Sequence, residues 1–494
     1  MSAGKNIFYS AILLTAVNLL LRFTGTAFQV YLSGRIGAAG IGLLQLVLSV
    51  GSLAMVAGMA GIRTATMYLT AEELGKGRQK NVTWILSGCF FYSILCSGFI
   101  ALLIYIFAPW IAENWIGDLR TLHGLRLLAA FLPCTCLCGV MTGYFTAANR
   151  IGTLAAVEVA EQLASMGCTL ILLHFWAGTD AGKACLCVIF GSSLGACITL
   201  ISLMILRLLE KPTQGTRIPV ARRLYETAVP LALADDLKTG INTVENLMVP
   251  KRLAMNTLVE NPLAAFGIVS GMVFPVLMFP ACILFGLAEL LIPELARCHA
   301  ADSKKRIIYL VHRSLKVAML YGILFSGLLF LLSDTLCMHL YNNEEAGNFL
   351  KLYAFLVPML YCDAITDAMI KGLGQQKKSV QYNIFTSTLD VVFLYLLLPK
   401  YGMIGYFFSF LITHLINFGL SLRRLLKITG EHISPSLPLL SVIAALCAVW
   451  ICSHLSVPAL QTITYPILLG SMLTLLGIVS REDIRWLKGL IRKK

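Results

Sequence analysis

Charge is scarce in this chain. Asp, Glu, Lys and Arg make up 13% of 494 residues, while 58% are hydrophobic. A soluble domain carries about 25% charge and about 45–50% apolar residues. The scarcity excludes a disordered chain and a charged coiled coil. Long polar stretches are missing too. The widest gap between apolar runs is about 15 residues, too short for a soluble domain. There is no GxxxxGK[ST] loop, no GxSxG and no HExxH, so neither nucleotide hydrolysis nor the common hydrolytic chemistries are expected. Gly37 to Gly42 is glycine-rich but reads as a short outer turn with no soluble helix after it. No small-residue cleavage site follows the first apolar run, which carries Arg22 in its middle and continues to Arg35, so no cleavable signal is expected.

Cysteine is present (15 residues) but forms no framework, because most of it lies inside apolar runs. Cys134, Cys136 and Cys138 have a metal-like look. On a helix, residues two apart point to different faces, and zinc sites use wider spacings. They read as small packing residues, and no metal or cofactor is expected. The eight histidines are scattered.

What is there is apolar sequence from Ile7 to Ser480, with a mean hydropathy of +0.80. A crossing helix needs about 20 apolar residues. Runs of that kind recur at 7–33, 40–68, 82–108, 124–147, 151–176, 183–208, 222–248, 263–293, 307–333, 347–371, 378–398, 402–425, 436–455 and 460–479. They predict an all-α polytopic membrane protein of about 14 spans. The runs are too long, and alternate too little, for barrel strands.

Basic residues set the orientation. With a cytoplasmic N-terminus, 27 of the 39 lysines and arginines fall in cytoplasmic segments, 7 in outer segments and 5 within spans. Both termini are therefore expected in the cytoplasm, in the cytoplasmic (plasma) membrane of a bacterium. The net charge of +14 sits in short loop clusters. It reads as a topology signal and as contact with anionic membrane lipids, not as a nucleic-acid surface.

The chain also resembles itself. At an offset of 225, Gly42 falls on Gly267, Ala60-Gly61-Ile62 on Phe285-Gly286-Leu287, Leu125-Arg126-Leu127 on Leu350-Lys351-Leu352, and Pro133 on Pro358. Residues 1–210 and 211–430 are thus expected to be two parallel six-helix lobes. Residues 431–494 add two helices and a basic tail. Between such lobes lies the expected substrate path.

Polar residues within the spans gather in stripes. Span 1 carries Thr15, Asn18, Arg22, Thr26, Gln29 and Ser33, at steps of 3 or 4, which is one helical face. Span 7 carries Asp235, Lys238, Asn242 and Glu245, with Asp236 alongside. Span 5 has Glu158, Glu161, Gln162 and Ser165. Span 10 has Asp363, Thr366 and Asp367, and span 11 has Asn383, Thr386, Ser387 and Asp390. A charge at the bilayer centre costs about 2.5–3.5 kcal/mol, so these groups are expected to face a wet cavity or one another. Asp235 and Lys238, one turn apart, can simply pair. Glu289, Glu294 and Arg63 lie near span ends, where snorkelling explains them.

These features resemble the multidrug/oligosaccharidyl-lipid/polysaccharide exporter superfamily. Local runs resemble its stage V sporulation protein B branch. They are Arg22-x-x-Gly25, Leu32-Ser33-Gly34-Arg35-Ile36-Gly37, Gly42-Leu43-Leu44-Gln45-Leu46, the stretch from Thr243 to Leu253, and Gly372-Leu373-Gly374-Gln375. The resemblance implies a flippase, not an enzyme, that moves an undecaprenyl diphosphate-linked glycan across the membrane by alternating access, with a link to spore-cortex peptidoglycan. It also implies that Arg22 meets the diphosphate. Lipid II flippases carry a second arginine about two turns later, where this chain has Phe28, a departure that weighs against lipid II itself.

Arginine offers a permanent forked charge for a diphosphate. Asn18, Thr26, Gln29, Asn242 and Asn383 can serve sugar hydroxyls, with Glu245 in the same cavity. Asp235, Glu158, Glu161 and Asp390 are the candidates for ion coupling. The same acids keep open a cation-coupled (H+ or Na+) multidrug exporter. No partner chain is implied, and a monomer is expected.

Overall fold

A computed structural model describes residues 2–75, 81–177, 180–209, 220–257, 259–430, 436–455 and 457–479. The α-helices are α1 Ser2–Met59, α2 Ile62–Gly75, α3 Val82–Trp110, α4 Leu122–Ala147, α5 Ile151–Leu172, α6 Ala181–Leu208, α7 Val220–Leu253 and α8 Pro262–Gly267. They continue with α9 Phe274–Met278, α10 Ala281–Ala300, α11 Lys304–Tyr341, α12 Glu344–Ala354, α13 Val357–Gly372, α14 Gln376–Thr429, α15 Ser436–Ser453 and α16 Pro458–Leu475. No strand occurs among the described residues. In hydrocarbon the backbone must satisfy its own polar groups, which a helix does.

Among the described residues, seven helical stretches are long and apolar enough to cross a membrane, or up to nine if each bent pair counts as one. Two of the seven, Leu19–Leu74 and Gln376–Thr429, exceed fifty residues, more than twice a single crossing. Each is interrupted at a glycine. Gly37 has φ 71° within α1, and Gly402 has φ 56° within α14. Both are left-handed conformations that glycine adopts without a Cβ clash. Gly37 thus breaks α1 into two helical parts, at the glycine-rich segment where a turn was expected.

Other expected spans are broken rather than straight. The run 40–68 is interrupted at Ala60-Gly61. The run 263–293 bends by 64° between Met278 and Ala281, and 347–371 by 58° between Ala354 and Val357. A break frees backbone carbonyls, which cost free energy in an apolar medium unless they are hydrogen-bonded. At each break a side chain from another helix donates to one.

The chain divides into two compact units. The first comprises 1–271 and 387–406. Its core packs Ile62, Leu69, Val140, Phe145, Leu203 and Ala228. Here Tyr92 donates to the carbonyl of Ala60 at 3.3 Å, and Asn256 to that of Pro399 at 3.2 Å, three residues before the Gly402 kink. Helices α1 and α8 cross at Gly42 and Gly267. A Cβ on Gly267 would lie 2.0 Å from the Ala38 carbonyl oxygen. Small residues allow such close backbone approach.

The second unit comprises 272–386 and 407–494. Tyr361 donates to Leu277 O at 2.9 Å and Tyr321 to Pro280 O at 2.8 Å, both at the α9–α10 break. Ser326 donates to Ala354 O at 2.8 Å, at the α12–α13 break. Tyr465 of α16 donates to Ile323 O of α11 at 3.1 Å, beside Gly327. Asn342 closes α11 in a left-handed conformation, and Asn343 caps α12 by accepting from Ala346 N at 2.9 Å.

Candidate functional site

In the first unit, α1 displays Arg22 on its exposed side. The turn is held from α5, where Gln162 donates to Leu21 O at 2.8 Å. Thr26 donates to the Arg22 carbonyl at 2.9 Å, an in-helix bond. Gln29 donates to Gly271 O at 3.1 Å, so its amide straps α1 to the turn after α8. Ser33 is buried. Asn18 lies in α1, but its side chain is outside the described residues.

On α5 the acids are already engaged. Glu161 accepts from Thr199 of α6 at 2.6 Å. Glu158 stands within the electrostatic reach of both Arg63 and Glu161.

Helix α7 is fixed in rotation by two bonds to α1. Thr243 donates to Ser49 O at 3.1 Å, and Asn246 to Ser49 Oγ at 3.0 Å. This turns Asp235, Lys238 and Asn242 to the exposed side. It leaves Glu245 facing Asp390 of α14, and the two carboxyl groups hydrogen-bond each other. Asp390 is 6% exposed. The pair joins a residue expected to bind substrate with one expected to couple an ion.

The second unit has its own cavity, about 200 Å³, where Asp363, Asp367, Asn383, His414 and Asn417 stand among apolar residues such as Leu284 and Phe285. Asn417 donates to both Asp363 oxygens, at 3.1 and 3.3 Å. Asn383 donates to Ser379 O at 3.0 Å. Asp367 accepts from Ser379 and lies 2.6 Å from Lys371 Nζ. His414 is half-buried, with its ring 4.0 Å from Phe410.

Sequence reasoning missed His414 and Asn417. The signal was available: Ser409, Thr413, Asn417 and Ser421 recur every four residues, and all four are buried. It also missed the buried Glu73, which accepts from Asn81 at 2.9 Å. Two adjacent acids, Glu72 and Glu73, near the end of an apolar run carry no period to betray the buried one.

Residues 15–176 and 251–396 match the MatE family model. Over 420 residues the chain is 22% identical to stage V sporulation protein B of Bacillus subtilis strain 168, spanning 82% of this chain and 80% of that protein. It is 20% identical over 286 residues to sporulation protein YkvU of the same organism, spanning 55% of this chain and 62% of that protein. Among solved structures it is similar to an inward-facing multidrug resistance MATE transporter of the MOP superfamily (TM-score 0.66, 14% identity, 86% of this chain and 100% of that one). It is similar also to the lipid II flippase MurJ in an inward closed conformation (TM-score 0.65, 14% identity, 96% and 98%). At such identity the likeness concerns the fold: an all-helical, multi-pass membrane transporter fold.

Proposed function

The chain belongs to the MatE family of membrane transporters, and from that premise we propose that it is a flippase. It moves an undecaprenyl-linked oligosaccharide or peptidoglycan precursor across the cytoplasmic membrane by alternating access, with both termini in the cytoplasm. The similarity to stage V sporulation protein B over four-fifths of each chain supports a glycan-lipid cargo and a role in cell-wall or spore-cortex synthesis. The similarity to MurJ over nearly the whole of both chains supports the same mode of action.

The observation that carries the reading is Arg22, a guanidinium exposed on an apolar span. A charge in hydrocarbon is costly, so Arg22 favours a polar path over contact with lipid. A diphosphate in a low-dielectric cleft is a strong partner for it. Asn18, Thr26, Asn242 and Asn383 are assigned to the sugar, with Gln29 held on the Gly271 carbonyl beside them, and the Glu245–Asp390 pair to proton or cation coupling. Asp235, Glu158 and Glu161 are secondary coupling candidates.

The two carboxyls at Glu245 and Asp390 also favour a second reading, a cation-coupled multidrug exporter. Complementation separates the two. In cells depleted of their own flippases, this chain should restore delivery of a lipid-linked glycan to the outer leaflet. Failure to restore any glycan, together with raised tolerance to organic cations, would establish the exporter instead.

A further inference from the structure

Arg63 is the second residue of α2, just past the Ala60-Gly61 break. Snorkelling at a span end was its expected explanation. Helix α2 runs on to Gly75, about 18 Å beyond Arg63, farther than the side chain reaches toward that end. Two glycines of α4 seat it there. A Cβ on Gly143 would lie 2.5 Å from the Arg63 carbonyl oxygen, and one on Gly139 3.7 Å from the Arg63 Cβ. Small residues permit that approach. Ile62, Ala65 and Thr66 are buried, and Arg63 between them is exposed.

Among the described residues no hydrogen bond or ion pair engages Arg63. Glu158 of α5, half-buried, stands within its electrostatic reach. One turn on from Glu158, Gln162 donates to Leu21 O at 2.8 Å, and a Cβ on Gly25 would lie 3.4 Å from its amide nitrogen. One face of α5 thus reaches Arg63 at Glu158 and the Arg22 turn at Gln162, about 6 Å apart along the axis. Glu158 is the nearer of the two to the Arg150 loop, which the basic residues assign to the cytoplasm.

We propose that Arg63 is a contact for the cargo diphosphate on the cytoplasmic side of Arg22, and that Glu158 is its exchangeable counter-ion. The diphosphate overcomes the pull of Glu158 on Arg63 as it arrives, and Glu158 reclaims Arg63 as it leaves. A lone guanidinium in an apolar path would hold a diphosphate tightly, and a ligand in transit must bind well enough to enter and weakly enough to leave. A carboxylate within reach supplies that weakness, because it competes for the same forked donors. The inference rests on the flippase reading above and gives Glu158 the part of a competitor in place of a coupling acid.

The test is retention of undecaprenyl diphosphate by the purified full chain in detergent, read by native mass spectrometry beside dioleoyl phosphatidylglycerol. Arg63→Gln should lower retention of the diphosphate about tenfold, the low end of what a hydrogen bond to a charged group carries. Glu158→Gln should move it the other way, up about fivefold, the value of one partly exposed charge pair. In the Arg63→Gln background most of that gain should vanish, because the competitor has nothing left to hold. Lost packing would not produce opposite signs coupled in this way. Arg63→Lys keeps the charge without the fork and should fall between the parent and Arg63→Gln, so it serves if the latter does not fold. Unchanged retention in both Arg63 variants, or a full gain from Glu158→Gln without Arg63, would overturn the inference and leave the flippase reading standing. An equal loss of phosphatidylglycerol in Arg63→Gln would also overturn it, by giving Arg63 to bulk anionic lipid. A parent chain that holds no undecaprenyl diphosphate would overturn both.

Discussion

Gly42 and Gly267, which the internal repeat aligns as equivalents, touch each other across the crossing of α1 and α8. A Cβ on Gly267 would stand 2.7 Å from Gly42 N and 3.0 Å from its Cα. Nothing larger than glycine fits at that point without moving backbone. Gly267→Leu should therefore lower stability by about 1–3 kcal/mol, the usual cost of overpacking. Gly34, on the same helix, has open space around it, and Gly34→Ala should be neutral or gain about 0.5–1 kcal/mol. Thermal unfolding in detergent checks both, and equal shifts would contradict the crossing.

The tyrosines at the α9–α10 break are expected to matter for their hydroxyls. Tyr361→Phe keeps the ring and strands the Leu277 carbonyl, at about 1–3 kcal/mol. Tyr401→Phe, at a ring 60% exposed, should change stability by less than about 0.5 kcal/mol. Melting temperatures of the two variants provide the comparison.

Arg22→Ala is expected to abolish glycan-lipid translocation while leaving the melting temperature near that of the parent. Arg22→Lys should restore part of the rate, because it keeps the charge and loses the fork. A leaflet-specific assay of the lipid-linked glycan in vesicles measures this. Full activity in Arg22→Ala would remove the residue from the mechanism.

For the acid pair, Glu245→Gln can still donate to Asp390, so folding should be retained while the response of transport to a proton or Na+ gradient is lost. Glu245→Ala removes the hydrogen bond and should also destabilise, by about 1–3 kcal/mol. Flux in vesicles with imposed gradients reads the coupling. A Glu245→Gln variant that still follows the gradient would place coupling elsewhere, with the cavity around Asp363 next in line.

The turn before α4 has its own pH signature. Asp118 accepts from Arg120 N at 2.9 Å and from its guanidinium at 2.5 Å. The side-chain bonds to Arg120 hold the Asp118 carboxyl below the usual carboxylate range. A depressed folded-state value means the stabilisation is fully present above about pH 4 and is lost as pH falls through that lower value. Asp118→Asn should lower the melting temperature at pH 7, where the ion pair is intact, and flatten its fall below about pH 4, so that variant and parent converge in acid.

Fold class and membrane placement were legible in the residues themselves. Long apolar runs leave a backbone no partner but itself, so the helices of α3, α4 and α6 fall where hydropathy sets them. Periodic polar residues were legible for the same reason, since a helix converts a step of 3 or 4 into a shared face. Pairings between helices were not. That Glu245 meets Asp390, or that Gln29 is spent on Gly271 O, depends on how α7, α8 and α14 rotate against their neighbours. Packing sets that rotation, through bonds such as those of Thr243 and Asn246 to Ser49, and no period along one helix encodes it. The breaks at Met278 and Ala354 were hidden likewise, because a chain can be broken within hydrocarbon only where distant hydroxyls such as those of Tyr361 and Ser326 arrive to satisfy it.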